Sequence, residues 1–249
     1  MTDDELLRYS RQILLPELDI TGQERLRQSH VLLMGLGGLG SAAAMYLAAA
    51  GVGRLTLVDF DQVDLSNLQR QIVHRTADIG RLKVESARDG LVALNPTIEI
   101  DIIPMALTEM ALRERAALAD VVVDACDNLA TRLAINAACV AAGTPLVSGA
   151  AIRLEGQVLV WHPHGTGACY RCLYRDTGTP LETCAQTGVL APVVGVIGSL
   201  QAVETLKILG GFGETLAGRL LLLDAARMEW RTLKTQRNPT CPVCGNAAA

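Results

Sequence analysis

Short uninterrupted apolar runs alternate with helix-period segments along the first part of this chain. Runs at 31–34, 55–58, 98–103, 121–123 and 146–147 predict strands, and the segments at 39–50, 81–94, 108–118 and 128–142 predict helices between them. Strands separated by helices imply right-handed crossover units. The reading is therefore an α/β fold with a Rossmann-like, mainly parallel sheet and helices on both faces. Past position 148 the alternation stops: 156–161 and 220–223 predict strands and 193–209 an apolar helix, so a mixed or antiparallel C-terminal half is expected. Residues 3–29 read as an amphipathic N-terminal helical arm. The expected organisation is one continuous domain made of an arm (1–29), a Rossmann-like half (30–150) and a second half (151–249).

Composition narrows the classes. Positions 31–53 carry no formal charge, a length near the roughly 20 residues that span a bilayer. Glycines at 35, 37, 38, 40, 51 and 53 break that stretch into a strand, a turn and an Ala-rich helix, so no membrane segment is expected. Lys and Arg number 22 against 26 Asp and Glu, a net charge of −4 that disfavours nucleic acid as a partner. The acidic start Met-Thr-Asp-Asp-Glu has no basic-then-apolar leader pattern, which predicts a cytoplasmic protein with reduced thiols.

Gly35-Leu36-Gly37-Gly38-Leu39-Gly40 fits G-x-G-x-x-G and lies between a predicted strand and a predicted helix. Such glycines let backbone approach a phosphate, and free amides at the helix start favour the anion. Asp59 follows about 20 residues later at a strand end, where a carboxylate accepts hydrogen bonds from ribose hydroxyls. The same glycines could serve only close strand-helix packing. Downstream, Ser66-Asn67-Leu68-Gln69-Arg70 and then Lys83 offer cations that a triphosphate needs more than a dinucleotide does. Taken singly, Arg70 and Lys83 also fit a solvated surface. Asp127-Asn128 follows the 121–123 strand, where Asp127 can hold a metal or either residue can cap the next helix.

Cys169, Cys172, Cys241 and Cys244 form two C-x-x-C knuckles. Four thiolates in this arrangement suit tetrahedral zinc, and a closed shell is structural; a redox dithiol or unpaired thiols are the alternatives. His162 and His164 lie near the first knuckle but are not needed to complete it. His30 and His74 have no partner motif and are expected on the surface or satisfied in the core. Cys126 and Cys139 sit in apolar contexts, whereas Cys184 sits in a polar loop.

The ordered set resembles the MoeB/ThiF family of ATP-dependent adenylyltransferases related to ubiquitin-activating enzymes. The resemblance runs over nearly the whole chain and rests on Arg8-Tyr9-Ser10-Arg11-Gln12, Gly35 to Gly40, Asp59-Phe60-Asp61, Ser66 to Gln71, Lys83-Val84-Glu85-Ser86, Asp127-Asn128 and both knuckles. It implies that Asp59 holds the ribose and Gly38 approaches the nucleotide. It also implies that Asn67, Arg70 and Lys83 bind the triphosphate, within an ATP site reaching from Ser66, Leu68 and Gln69 to Asn128. Asp127 would bind Mg2+ and the four cysteines structural Zn2+. Arg11 would reach the site of a second copy, giving a homodimer with shared sites.

The implied reaction activates the C-terminal Gly-Gly of a ubiquitin-like sulfur-carrier protein as an acyl-adenylate. The molybdopterin-synthase branch is the nearest match, which makes the small subunit of that synthase the expected carrier, with a thiamine-pathway carrier as the alternative. The chain stops soon after Cys244, so sulfur is expected from a separate donor, and in this branch Cys184 is expected to be dispensable for adenylation. Two rival classes remain. The glycine turn and Asp59 alone would also fit an NAD-dependent oxidoreductase, and a non-catalytic scaffold would bind nucleotide and carrier without exchanging pyrophosphate.

Overall fold

A computed structural model describes residues 1–165, 167–174 and 187–245. Eight strands form one sheet: β1 (His30–Met34), β2 (Arg54–Val58), β3 (Glu99–Ile103), β4 (Val121–Asp124), β5 (Leu146–Ile152), β6 (Glu155–Trp161), β7 (Arg219–Asp224) and β8 (Glu229–Lys234). Their order is β3-β2-β1-β4-β5-β6-β7-β8. Pairing from β3 through β5 is parallel and from β5 through β8 antiparallel. The expected Rossmann-like half and mixed half are thus edges of one sheet, and position 150 falls inside β5. That strand runs past the 146–147 apolar run because β6 pairs with its whole length, from Leu146 with Trp161 to Ile152 with Glu155.

The predicted arm is three helices: α1 (Asp3–Arg8), α2 (Ser10–Ile13) and α3 (Asp19–Gln28). Pro16 cannot continue a helix, which accounts for the break before α3. Thr2 and Glu5 close a capping box on α1. Tyr9 is buried and its hydroxyl accepts from Asn95 Nδ2 at 2.8 Å, tying the arm to the body.

The crossover helices are α4 (Gly38–Ala49), α5 (Lys83–Leu94), α6 (Glu109–Ala117) and α7 (Leu129–Ala142), each within a few residues of its sequence expectation. A one-turn helix, α8 (Tyr170–Leu173), carries the first cysteine knuckle, and α9 (Ala191–Gly210) packs against α4 and β5. Helix α9 is long and apolar enough to cross a membrane. Its buried Gln201 donates to the Asp124 carbonyl at 2.7 Å, and its buried Glu204 accepts from the Leu216 amide at 2.6 Å. Those bonds inside the fold identify it as a core helix.

Aliphatic side chains fill both faces of the sheet. On one face Leu33, Leu47, Leu55, Val123 and Ile197 pack together, and on the other Leu32, Val122, Ile135 and Leu146. Helices α4 and α9 approach so closely that a Cβ on Gly198 would lie 2.2 Å from the Leu39 carbonyl oxygen. We expect Gly198→Ala to destabilise the protein by about 1–3 kcal/mol through overpacking, read from the urea unfolding midpoint. An unchanged midpoint would show that the helices separate freely.

Candidate nucleotide site and four-cysteine centre

The turn after β1 is built on backbone that only glycine serves. Gly35 has φ +91°, and a Cβ on Gly40 would sit 1.9 Å from the Gly35 carbonyl oxygen. Gly37, the residue before α4, has no side chain to cap the helix, so the first-turn amides of α4 are not taken up by one. Asp59, at the end of β2, locks this turn: Oδ2 accepts from the Leu36 amide at 2.7 Å and Oδ1 from the Asp61 amide at 2.9 Å. Burial raises the Asp59 carboxyl above its ordinary range, while the neighbouring Lys83 and the two amides pull it down.

The loop between β2 and α5 brings the cations in. The Arg70 guanidinium donates to the Ser66 carbonyl at 3.0 Å and to Asn67 Oδ1 at 3.2 Å, and Gln71 Nε2 donates to the same Asn67 oxygen at 2.7 Å. Lys83 opens α5, keeps only 7% of its side chain exposed and pairs with the more exposed Asp61 at 2.7 Å. Beneath the loop, His74 is a satisfied core residue. Its Nε2 donates to the Leu36 carbonyl at 3.2 Å and its Nδ1 shares a hydrogen bond with Ser86 Oγ at 2.8 Å. Burial holds its pKa below the ordinary histidine value.

After β4, Asn128 is the cap of α7, its Oδ1 accepting from the Thr131 amide at 2.9 Å. Asp127 is exposed and makes no hydrogen bond or ion pair among the described residues. Burial and the adjacent Asp124 hold the Cys126 thiol well above its usual pKa, which disfavours its thiolate.

These elements surround a cavity of about 1200 Å³. Gly38, Asp59, Asn67, Arg70, Lys83, Asp127 and Asn128 all line it, so the structure brings together most of the residues singled out from sequence. Ser66, Leu68 and Gln69 are not among its lining residues; Ser66 is instead bonded to Asp64 through its amide and hydroxyl. Arg11 lies elsewhere, exposed on α2 beside a smaller groove with Tyr46, Val203 and Leu206. Sequence reasoning passed over the far end of the cavity, where Gln157, Tyr174, Leu222 and Arg227 extend it over the antiparallel strands. Cys184 lies outside the described residues.

The four knuckle cysteines converge, with all four sulfurs within 4.8 Å of one another. Cys169 Sγ is 3.8 Å from those of Cys172 and Cys241, and Cys172 Sγ is 3.4 Å from that of Cys244. Thiolates about 2.3 Å from a tetrahedral zinc are spaced about 3.8 Å apart, so the centre fits that metal. Burial opposes ionisation of Cys241, but the Cys244 and Val243 amides outweigh it and bring its thiol to about 7. The rings of His162 and His164 lie tilted to one another with centroids 5.7 Å apart and take no part in the cluster.

A glycine turn, an acid at the second strand end and a crevice beyond the carboxyl ends of parallel strands define a Rossmann-type protein. The ThiF family model matches residues 9–243, and the chain belongs to that family. It is 52% identical to the molybdopterin-synthase adenylyltransferase of Escherichia coli (strain K12) over 98% of both chains. It is 50% identical to the sulfur carrier protein ThiS adenylyltransferase of the same organism, over 100% of this chain and 99% of that one. The crystal structure of E. coli MccB with ATP superposes with a TM-score of 0.85 at 25% identity, covering 96% of this chain and 73% of that one. The protein is an adenylyltransferase.

One consequence of the site concerns pH. Because folding depresses the His74 pKa, the unfolded chain binds the extra proton first as pH falls below about 6.5. The stability this residue contributes is present above that value and is lost as pH drops toward the folded pKa. Urea midpoints across this window should fall for the wild type and fall less for His74→Asn. Parallel pH profiles would contradict the assignment.

Proposed function

We propose that this protein uses Mg-ATP to activate the C-terminal glycine carboxylate of a ubiquitin-like sulfur-carrier protein as an acyl-adenylate. The observation that carries the reading is the single cavity: its cationic end suits a nucleotide, and its extension over β5, β6 and β7 suits an extended peptide end. The two E. coli relatives bear the names of enzymes acting on molybdopterin synthase and on ThiS, and MccB was crystallised with ATP. We take the small subunit of molybdopterin synthase, in molybdenum cofactor biosynthesis, as the carrier. The thiamine-pathway carrier is the second reading, favoured by the nearly equal identity to the ThiS enzyme.

In this reading the first-turn amides of α4 face the phosphates and Asp59 accepts from the ribose. Arg70 and Lys83 offset the charge that builds as a carboxylate oxygen attacks the α-phosphorus and the α–β phosphoanhydride bond breaks, releasing pyrophosphate. The carboxylate is already ionised at neutral pH, so no general base is required. Magnesium held at Asp127 would add electrostatic stabilisation of the phosphates. The cysteine centre would hold zinc with no open position, as a structural clamp, and reduced thiols of this kind belong in the cytoplasm. Sulfur would come from a separate donor.

Arg11 serves the site of a second copy in this reading. Its absence from the cavity lining on its own chain and the exposed apolar Tyr46 and Val203 that line its groove support a homodimer built on this face.

Carrier-dependent exchange of labelled pyrophosphate into ATP tests the reaction, and comparing the two carriers selects between the pathways. No exchange with either carrier would refute the reading. Lys83→Ala should lower the exchange rate about 10²-fold, the loss typical of one preorganised transition-state donor. Mixing Arg11→Ala with Asp127→Ala subunits should restore part of the activity each lacks; no recovery after verified subunit exchange would exclude donation between copies.

A further inference from the structure

The cysteine centre and the nucleotide crevice are joined by a short chain of contacts, in which Arg132, Tyr170 and Tyr174 also line the cavity. Cys169 is followed directly by Tyr170, whose amide donates to Asn136 Oδ1 at 2.8 Å, while Asn136 Nδ2 reaches Cys169 Sγ at 3.6 Å. Asn136 stands one turn beyond Arg132 on α7, so both project from one face of that helix. The Arg132 guanidinium lies over the Tyr170 ring, 6.0 Å from its centroid, and Tyr170 is stacked from its other neighbour, Tyr174, at 4.5 Å.

Arg132 is a buried cation, which is costly unless it is paired. Its Nη2 donates to the Cys126 carbonyl. Burial opposes its charge, yet the nearby Asp124 carboxylate and Tyr170 more than compensate and keep it a guanidinium. The turn it grips is held at three places: the Cys126 amide donates to Asp124 Oδ1 at 3.0 Å, the Cys126 carbonyl accepts from Arg132, and Asn128 caps α7. Between Cys126 and Asn128 stands Asp127, whose carboxylate makes no bond of its own among the described residues. Its position is set by its neighbours.

We propose that the four-cysteine centre positions the Asp127 turn through Tyr170 and Arg132, so that metal held at the cysteines and Mg-nucleotide bound in the crevice are thermodynamically coupled. Tyr170 and Arg132 are positioning residues, and the inference rests on the reading that Asp127 holds magnesium. Coupling of this kind is reciprocal: each ligand must tighten the other by the same factor.

The test compares the wild type with Arg132→Met, which fills similar space without the cation. By calorimetry, magnesium should tighten ATP binding in both, but the gain should shrink about 10-fold or more in the variant, as for loss of an outer-shell partner. ATP affinity without magnesium sets the baseline from which the gain is read in each protein, and the zinc content should stay unchanged. Combining Arg132→Met with Asp127→Asn should weaken binding no further than Asp127→Asn alone. Reciprocally, saturating Mg-ATP should slow transfer of zinc to a chromogenic chelator in the wild type and have no such effect in Arg132→Met. Additive losses in the double variant, or equal slowing of zinc transfer in both proteins, would overturn the coupling. Should Arg132→Met not fold, Tyr170→Leu makes the same comparison from the other end of the contact. Wild-type protein that binds no Mg-ATP at all would bring down the functional reading first and the coupling with it, whereas normal wild-type binding with unaltered variants rejects the coupling alone.

Discussion

The double pairing of β5 is the constraint on which the rest depends. Along one edge this strand continues the parallel ladder, with Val122 opposite Leu146 and Asp124 opposite Ser148, and along the other it starts the antiparallel meander. Parallel strands end together at one rim and there leave room for a ligand, while antiparallel strands offer a continuous face. A sheet that changes mode at one strand therefore sets a crevice beside a groove without any hinge between them. The buried bond from Ser148 Oγ to Asp124 Oδ2, 2.7 Å long, fixes the two ladders at the point of change.

The crevice carries polar groups that an apolar core would reject. Asp59, Lys83, His74, Asp124 and Arg132 all lie in or behind it and are held by specific neighbours, although Arg132 bonds only through Nη2 and its buried Nη1 has no partner among the described residues. Burial disfavours the charged form of Asp59 and of His74, in opposite directions on the pH scale. Stability is surrendered here, and the aliphatic packing on both faces of the sheet compensates.

Much of this was legible in the chain because the relevant signals are local. Apolar runs of strand length, glycines at a strand-helix junction and paired cysteines each declare themselves within a few residues, which is why β1, β2, β4, α4, α5 and α7 and the cysteine cluster emerged from sequence. What escaped depends on partners distant in the chain. Every residue of β8 is exposed, so it lacks the alternation that marks a half-buried strand. Arg132 and Tyr170 have no motif of their own and gain meaning only where α7 meets the first knuckle. The sequence left open whether Asp127 or Asn128 caps α7, and the bond from Thr131 assigns the cap to Asn128.

Strand β8 closes one side of the sheet and has no further neighbour there among the described residues. Its outer backbone groups form an open template onto which a foreign strand could add, the route by which sheets grow into aggregates. Glu229, Arg231 and Lys234 along the strand, with Arg227 just before it, carry charge that a stacked copy would have to bring against itself in desolvated register. The same side chains that deprive β8 of a recognisable pattern thereby act as its gatekeepers, keeping an unfinished edge from polymerising.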